Sequence, residues 1–215
     1  MINLYCSIKS CGEANYIAAH KAGLIGTKIH PVLVNLQNHI IVTGPKKGSD
    51  FFQVNPKGNV PTLVLEDKTV LNENGSTFLY ISDLNPESGL APPVNSIERY
   101  EFISLLSFLS SELHQSVAEL FWVTKGSLKE FCLKRAKDKL SYVEKELVNN
   151  EKKFLFQDKF TALDAYLIVI LSWTAPLGIE IEDNYPNLEN YRDNLQNMDY
   201  IKAAQADIQT LSLNK

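Results

Sequence analysis

The run Asn55-Pro56-Lys57-Gly58-Asn59-Val60-Pro61 constrains the fold of this chain more than any other stretch. Its prolines set φ and its glycine admits φ > 0, so a fixed loop is expected. Thr62 to Leu65, apolar and partly β-branched, reads as a short strand, and Glu66-Asp67-Lys68 turns it into Thr69-Val70-Leu71 to complete a hairpin. Val60-Pro61 stands at the entrance, where a cis peptide bond would be a deliberate feature, since cis is rare even before proline. Such a bond turns the Val60 N–H and C=O outward, where a peptide-like ligand can pair with them as an added strand would. Asn72 to Ser76 then opens a helix whose free N–H groups and positive dipole end suit a carboxylate. A strand-like edge beside such a helix start suits a small peptide acid.

Along the chain, Ile2 to Tyr5 alternates as a first strand, Glu13 to Ala22 reads as a helix stopped at Gly23, and Lys28 to Leu36 as a second strand with Pro31 on an edge. Residues 38–53 read as irregular, with a loop at Gly44 to Gly48. The Pro- and Gly-dense stretch Asn85 to Pro93 marks a boundary. The domains are therefore expected over residues 1–84 and 97–215, with a linker at 85–96. Beyond the linker, apolar residues from Ile97 to Leu120 recur at three and four residues, predicting one long amphipathic helix, and Leu128 to Leu147 repeats the period. Thr161-x-x-Asp164 resembles a capping box with Phe160 at the staple position, so Asp164 is expected to be a structural cap. The helix after it, Ala162 to Trp173, is apolar nearly all round and should be a buried centre. Asn187 to Asn197 and Tyr200 to Thr210 are expected closing helices.

Composition bounds the function. A chain of 215 residues with 45% hydrophobic and 21% charged content is ordinary for a globular protein. A net charge of -4 argues against a nucleic-acid partner. The start Met1-Ile2-Asn3-Leu4-Tyr5 has no basic region before an apolar run, so no signal peptide is expected. The longest apolar stretch, Leu163 to Ile179, carries polar residues and falls short of the ~20 residues that span a bilayer, so no membrane partner is expected. Cys6, Cys11 and Cys132 are odd in number and lack metal spacing, which predicts free thiols, a reducing cytoplasmic setting and no metal.

The motif Asn-Pro-x-Gly-x-Val-Pro-x-Leu, the hairpin, and Leu-x-Glu at a helix start resemble the glutathione-binding half of a cytosolic glutathione transferase. The similarity runs on through Leu90 to Tyr100, Glu112-Leu113-His114, Phe160 to Tyr166 and Tyr185 to Leu188, and resembles the bacterial beta class most. It implies an α/β plus all-α fold: an N-terminal thioredoxin-like domain, then an all-helical domain. It also implies glutathione as co-substrate, an apolar electrophile as second substrate, and a homodimer.

The resemblance also assigns roles. Glu73 takes the γ-glutamyl ammonium of glutathione, Asn74 takes its carboxylate, Val60 and Pro61 its cysteinyl part, and His39 lies near the contact to the glycyl carboxylate. Ser10 falls in the column of the family's activating Cys or Ser, and Cys11 in the next, so the beta-class Cys-Ser pair reads here as Ser-Cys. A Ser10 hydroxyl that donates to the bound sulfur would favour conjugation, because it stabilises the thiolate. A dominant Cys11 would favour thiol-disulfide exchange instead, and a plain N-cap explains Ser10 equally well. A non-enzymatic protein on the same fold stays open too, and Ser107 stands where the beta class contributes an Asn across the dimer. His114 matches a column that faces the glutathione sulfur. Phe121, Trp122 and Tyr166, with Trp173, are candidates for lining the electrophile pocket, although aromatics at helical spacing also read as core.

Overall fold

The computed structural model describes residues 1–150, 153–182 and 184–213. The chain opens with strand β1 (Ile2–Cys6), helix α1 (Cys11–Lys21) and strand β2 (Ile29–Asn35). Strands β3 (Ile40–Ile41), β4 (Thr62–Val64) and β5 (Val70–Leu71) and helix α2 (Asn74–Leu84) follow. The strands form one sheet in the order β3-β2-β1-β4-β5, with β1 parallel to β2 and the remaining pairs antiparallel. This is the thioredoxin-like arrangement expected from the motif order. Pro31 lacks an N–H to give a neighbour, and β3 pairs only with Val34 and Asn35, so β2 is locally an edge at Pro31.

A small core joins Tyr5, Val32, Val34, Ile41, Phe51 and Val60, with the Tyr5 and Phe51 rings 5.5 Å apart. By seating the Val60 side chain, it fixes the backbone of the hairpin entrance. The helices α1 and α2 pack together, and α1 approaches β1 closely because its second residue is Gly12. A Cβ at Gly12 would lie 3.0 Å from the Cys6 Cα, so any side chain there would push the start of α1 away from β1 by a few tenths of an ångström.

Helices α3 (Ile97–Phe108), α4 (His114–Ala118), α5 (Gly126–Asn150), α6 (Ala162–Ser172) and α7 (Pro186–Gln196) form a second, all-helical unit over Pro92–Asn197. The single long helix expected from Ile97 to Leu120 is broken: a π-turn at Leu109–Leu113 separates α3 from α4. Helix α6 is buried along its length from Ala162 to Leu171, each large side chain there contributing about 1.5–3 kcal/mol.

The last helix, α8 (Asp199–Leu213), groups with the first unit, which comprises Met1–Ala91 and Met198–Lys215. It buries Ile201, Ala204 and Ile208 and packs on α1. The helical domain expected over 97–215 is corrected accordingly, since its end belongs with the sheet. Amphipathic periodicity states that a face is buried, not what it is buried against. The division at Ala91 and Pro92 falls inside the expected 85–96 linker. No helix among the described residues is long and apolar enough to cross a membrane.

Candidate functional site

The hairpin entrance is built on Asn55. This fully buried side chain is the hub of the loop: its Nδ2 donates to the Asn59 carbonyl at 2.8 Å and to Thr62 Oγ1 at 3.0 Å. Its Oδ1 accepts from Lys57 N–H at 3.1 Å and from Asn72 Nδ2 at 2.8 Å. Asn72 is therefore a strut between the loop and the start of α2, and Asn59 adds a second strut by donating to the Asn72 carbonyl. In the sequence, Asn55 and Asn59 belong to the fixed loop and Asn72 to the helix opening, and the hub that joins them was not foreseen. The Val60-Pro61 bond is cis, as expected. The Val60 N–H has no acceptor among the described residues, while its carbonyl accepts from the Cys11 thiol at 2.9 Å.

The start of α1 brings Ser10 and Cys11 to this edge in different roles. Ser10 is the N-cap: its Oγ accepts from the Gly12 N–H at 3.1 Å and donates to the Ser7 carbonyl at 2.6 Å. The Ser10 hydroxyl proton is thus committed to the protein. Cys11 is the first helical residue, and burial pushes its thiol up to about 11, against lowering contacts from Asn74 and the backbone at Cys11 and Gly12. Glu13 completes the turn. It is buried, accepts from the Lys9 N–H at 2.5 Å, and burial raises its carboxyl above the usual range. The spacing Ser10-x-x-Glu13 is the capping-box signature, and it locates the helix start that sequence reading put at Glu13. Here the carboxylate reaches back to Lys9, at φ 59°, not to the cap residue itself.

At the start of α2, Glu73 occupies the N-cap position without a side-chain cap bond. Its exposed carboxylate pairs with Lys57 Nζ at 2.5 Å. The first N–H groups of α2, from Asn74 to Ser76, have no intrahelical partner by helix geometry, so an anion can take them. The Asn74 side chain points inward instead, where its Oδ1 accepts from Asn15 Nδ2 at 2.9 Å. Only the backbone of Asn74 is left for the carboxylate role that the resemblance gave it.

His39 adopts φ 55° and stacks on Phe52 with ring centroids 4.5 Å apart. Both rings lie over Gly58, which joins His39 to the Asn55–Pro61 loop.

In the helical unit, His114 Nδ1 and Tyr166 Oη are 2.6 Å apart, and the His114 ring lies 5.1 Å from that of Trp173. Phe121 meets Trp173 edge-on at 6.0 Å. Burial lowers the His114 pKa to about 4, so the ring is neutral near pH 7. The four aromatic and imidazole rings form one cluster, with Tyr166 fully buried. Trp122 stands outside that cluster, 86% exposed. Ser107 is exposed and accepts through its carbonyl from Ser110 and Ser111. Asp164 closes the expected capping box with Thr161 and also accepts from the Leu155 N–H and the Tyr191 hydroxyl. It is a buried structural carboxylate. Among the described residues no group of three His, Cys, Asp or Glu could hold a metal ion.

The chain is similar to known proteins in sequence and in fold. A family model for the glutathione S-transferase C-terminal domain matches residues 111–206. Glutathione S-transferase GstA of Escherichia coli O157:H7 is 32% identical over 184 residues, which is 84% of this chain and 86% of that protein. The structure of a sphingomonad glutathione S-transferase complexed with glutathione matches with a TM-score of 0.85 at 33% identity, over 95% of this chain and 98% of the other. The bacterial beta-class glutathione S-transferase of Sphingomonas chungbukensis matches with a TM-score of 0.84 at 33% identity, over the same shares. With a third of the residues identical along most of both chains, the chain belongs to the glutathione S-transferase family.

Proposed function

We propose that this protein is a glutathione transferase that holds reduced glutathione along the Val60 edge and stabilises its thiolate for attack on an apolar electrophile. The observation that carries this reading is the meeting of the Cys11 thiol with the Val60 carbonyl at 2.9 Å, beside the side-chain-free start of α2. Glutathione then lies as an added strand, its cysteinyl carbonyl on the Val60 N–H. Its γ-glutamyl carboxylate meets the N–H groups of Asn74 to Ser76, and its ammonium replaces Lys57 on Glu73. The sulfur is left at the start of α1.

There the Cys11 S–H, kept protonated at neutral pH by its burial, turns from Val60 to donate to the glutathione sulfur. The glutathione thiol releases its proton to solvent, and the thiolate forms a carbon–sulfur bond while the electrophile's carbon–halogen bond, or an activated carbon–carbon π bond, breaks and its electron pair leaves as halide or is protonated from solvent. A protonated Cys11 is a donor and a poor nucleophile. That favours conjugation over thiol-disulfide exchange through Cys11. The committed hydroxyl of Ser10 makes it a cap that shapes the loop, with Cys11 as the donor. His114 serves as a neutral hydrogen-bonding ring, and His39 supports the glycyl end. Phe121 and Tyr166 belong to the electrophile side, where family membership also supports a homodimer. The free thiols of Cys6, Cys11 and Cys132 support a cytoplasmic setting, and conjugation of apolar electrophiles is a detoxifying activity.

Calorimetric titration with reduced glutathione tests the reading. Saturable binding that Glu73→Ala weakens is the expected result. Absence of heat at millimolar ligand and two temperatures overturns it.

A further inference from the structure

The turn before α1 carries a lysine where its geometry suits a glycine. The Ser10 N–H donates to the Ser7 carbonyl at 3.3 Å, which closes a β-turn with Ile8 and Lys9 at its centre. Lys9 has φ 59°, whereas Ile8 is not among the residues of positive φ. Those signs are the type II pattern, whose third residue is ordinarily Gly or Asn. A lysine is strained there. A type I turn would suit it, and differs mainly by a flip of the central Ile8–Lys9 peptide plane.

Glu13 opposes that flip. Its Oε2 accepts from the Lys9 N–H at 2.5 Å, and its own N–H donates to the Ser10 carbonyl at 2.9 Å, so the carboxylate is fixed in the first turn of α1. A flipped plane would turn the Lys9 N–H away and bring the Ile8 carbonyl toward the carboxylate, oxygen against oxygen. Glu13 is buried, so water is a poor substitute for the lost donor. A residue that only had to fill this space could be apolar, without the cost of a buried carboxylate. Packing does not hold the turn from its other side, where Ser7 to Ser10 line a cavity of about 500 Å³ with Leu33 and Gln37.

We propose that Glu13 is a positioning residue whose carboxylate selects the strained turn at Lys9, and that this turn delivers Cys11 to the Val60 carbonyl. The strain at Lys9 is held by one acceptor two residues beyond the cysteine it positions. This role rests on the reading of the α1 start as the sulfur site.

The test is the rate at which iodoacetamide alkylates Cys11 in the full chain without glutathione, read by mass spectrometry of the Cys11 peptide at neutral pH. Glu13→Ala releases the turn and is expected to speed alkylation roughly ten-fold, as loss of one hydrogen bond to a charged group predicts. Glu13→Leu, which fills the space without an acceptor, takes its place if that variant does not fold, with the same rise expected. Glu13→Gln keeps an acceptor and should stay within about two-fold of the unaltered chain. Lys9→Gly added to the acceptor-free variant should restore the slow rate, because glycine adopts φ > 0 unaided. Lys9→Ala removes the same ammonium but keeps a Cβ, and should restore nothing. Unchanged or slower alkylation in the acceptor-free variant overturns the proposal, and so does a Glu13→Gln rate equal to it. Rescue by Lys9→Ala, or none by Lys9→Gly, overturns it too, since Glu13 would then not act through the Lys9 backbone. Glutathione calorimetry on the unaltered protein is read separately: a failure there sinks the glutathione reading, whereas the alkylation rates judge Glu13.

Discussion

The Cys11 thiol donates to the Val60 carbonyl across 2.9 Å, linking the first turn of α1 to the peptide edge of the hairpin loop. Ser10, one residue earlier, spends its hydroxyl on Ser7 and Gly12. The two neighbours should therefore respond differently to loss of their side chains. Cys11→Ala is expected to lower turnover with a reactive aryl halide about ten- to a hundred-fold, the loss of one hydrogen bond to a charged sulfur. Ser10→Ala should keep most of the turnover and lose about 1 kcal/mol of stability, or roughly 2–4 °C in thermal midpoint. Steady-state kinetics beside a melting curve separate them. Turnover lost in Ser10→Ala and kept in Cys11→Ala would return the donor role to Ser10.

Gly58 cannot be replaced without moving the His39–Phe52 stack, which we propose lies at the glycyl end of the ligand. It holds φ +68°, and a Cβ there would sit 2.5 Å from Phe52 Cε1 and 3.0 Å from His39 Cδ2. Gly58→Ala combines a strained backbone with a forced shift of the His39–Phe52 stack, and should destabilise by about 1–3 kcal/mol. Glutathione affinity should fall with it. Urea unfolding and calorimetry read the two effects. An unchanged unfolding midpoint would mean that the two rings move aside at no cost.

Much of this site was legible from local rules. The hairpin, its turn and the loop before Thr62 follow from Pro, Gly and β-branched residues, whose backbone preferences act within a few positions. The capping box at Thr161 and Asp164 was readable for the same reason, and the equivalent Ser10-x-x-Glu13 pattern was equally available. What sequence could not supply was partner choice. Asn15 and Asn55 are polar residues with no local signal for burial, and both are fully buried with another polar side chain opposite. The π-turn at Leu109–Leu113 was hidden because an apolar repeat of three and four residues tolerates one extra residue without losing its face. The docking of α8 on α1 lay beyond reach because it joins segments nearly two hundred residues apart.

Asp164 carries a large share of the helical unit's polar order. Its carboxylate accepts from the Leu155 and Thr161 N–H groups and from the Thr161 and Tyr191 hydroxyls, all without exposure. Asp164→Ala leaves these buried donors unmet, which should cost about 3–5 kcal/mol. Asp164→Asn keeps the shape and should cost less. Denaturant unfolding of the two variants checks the order. Equal losses would mean that the charge matters and the acceptor geometry does not.

His114 should give the protein an acid-labile component of stability. Its pKa is about 4 when folded, against 6.5 for an unburied ring, because burial disfavours the imidazolium. Above pH 6.5 both states are neutral and this contribution is whole. Between 6.5 and 4 the unfolded chain takes up a proton that the folded one refuses, so stability falls with pH; below 4 the loss levels off. The full span is about 3 kcal/mol. His114→Gln keeps a polar partner for Tyr166 and removes the titration. The wild-type advantage over this variant in urea unfolding should therefore shrink from about pH 7.5 to about pH 4.5. A difference that stays constant across that range would show that the ring titrates alike in both states, and that His114 is accessible to protons in the folded protein.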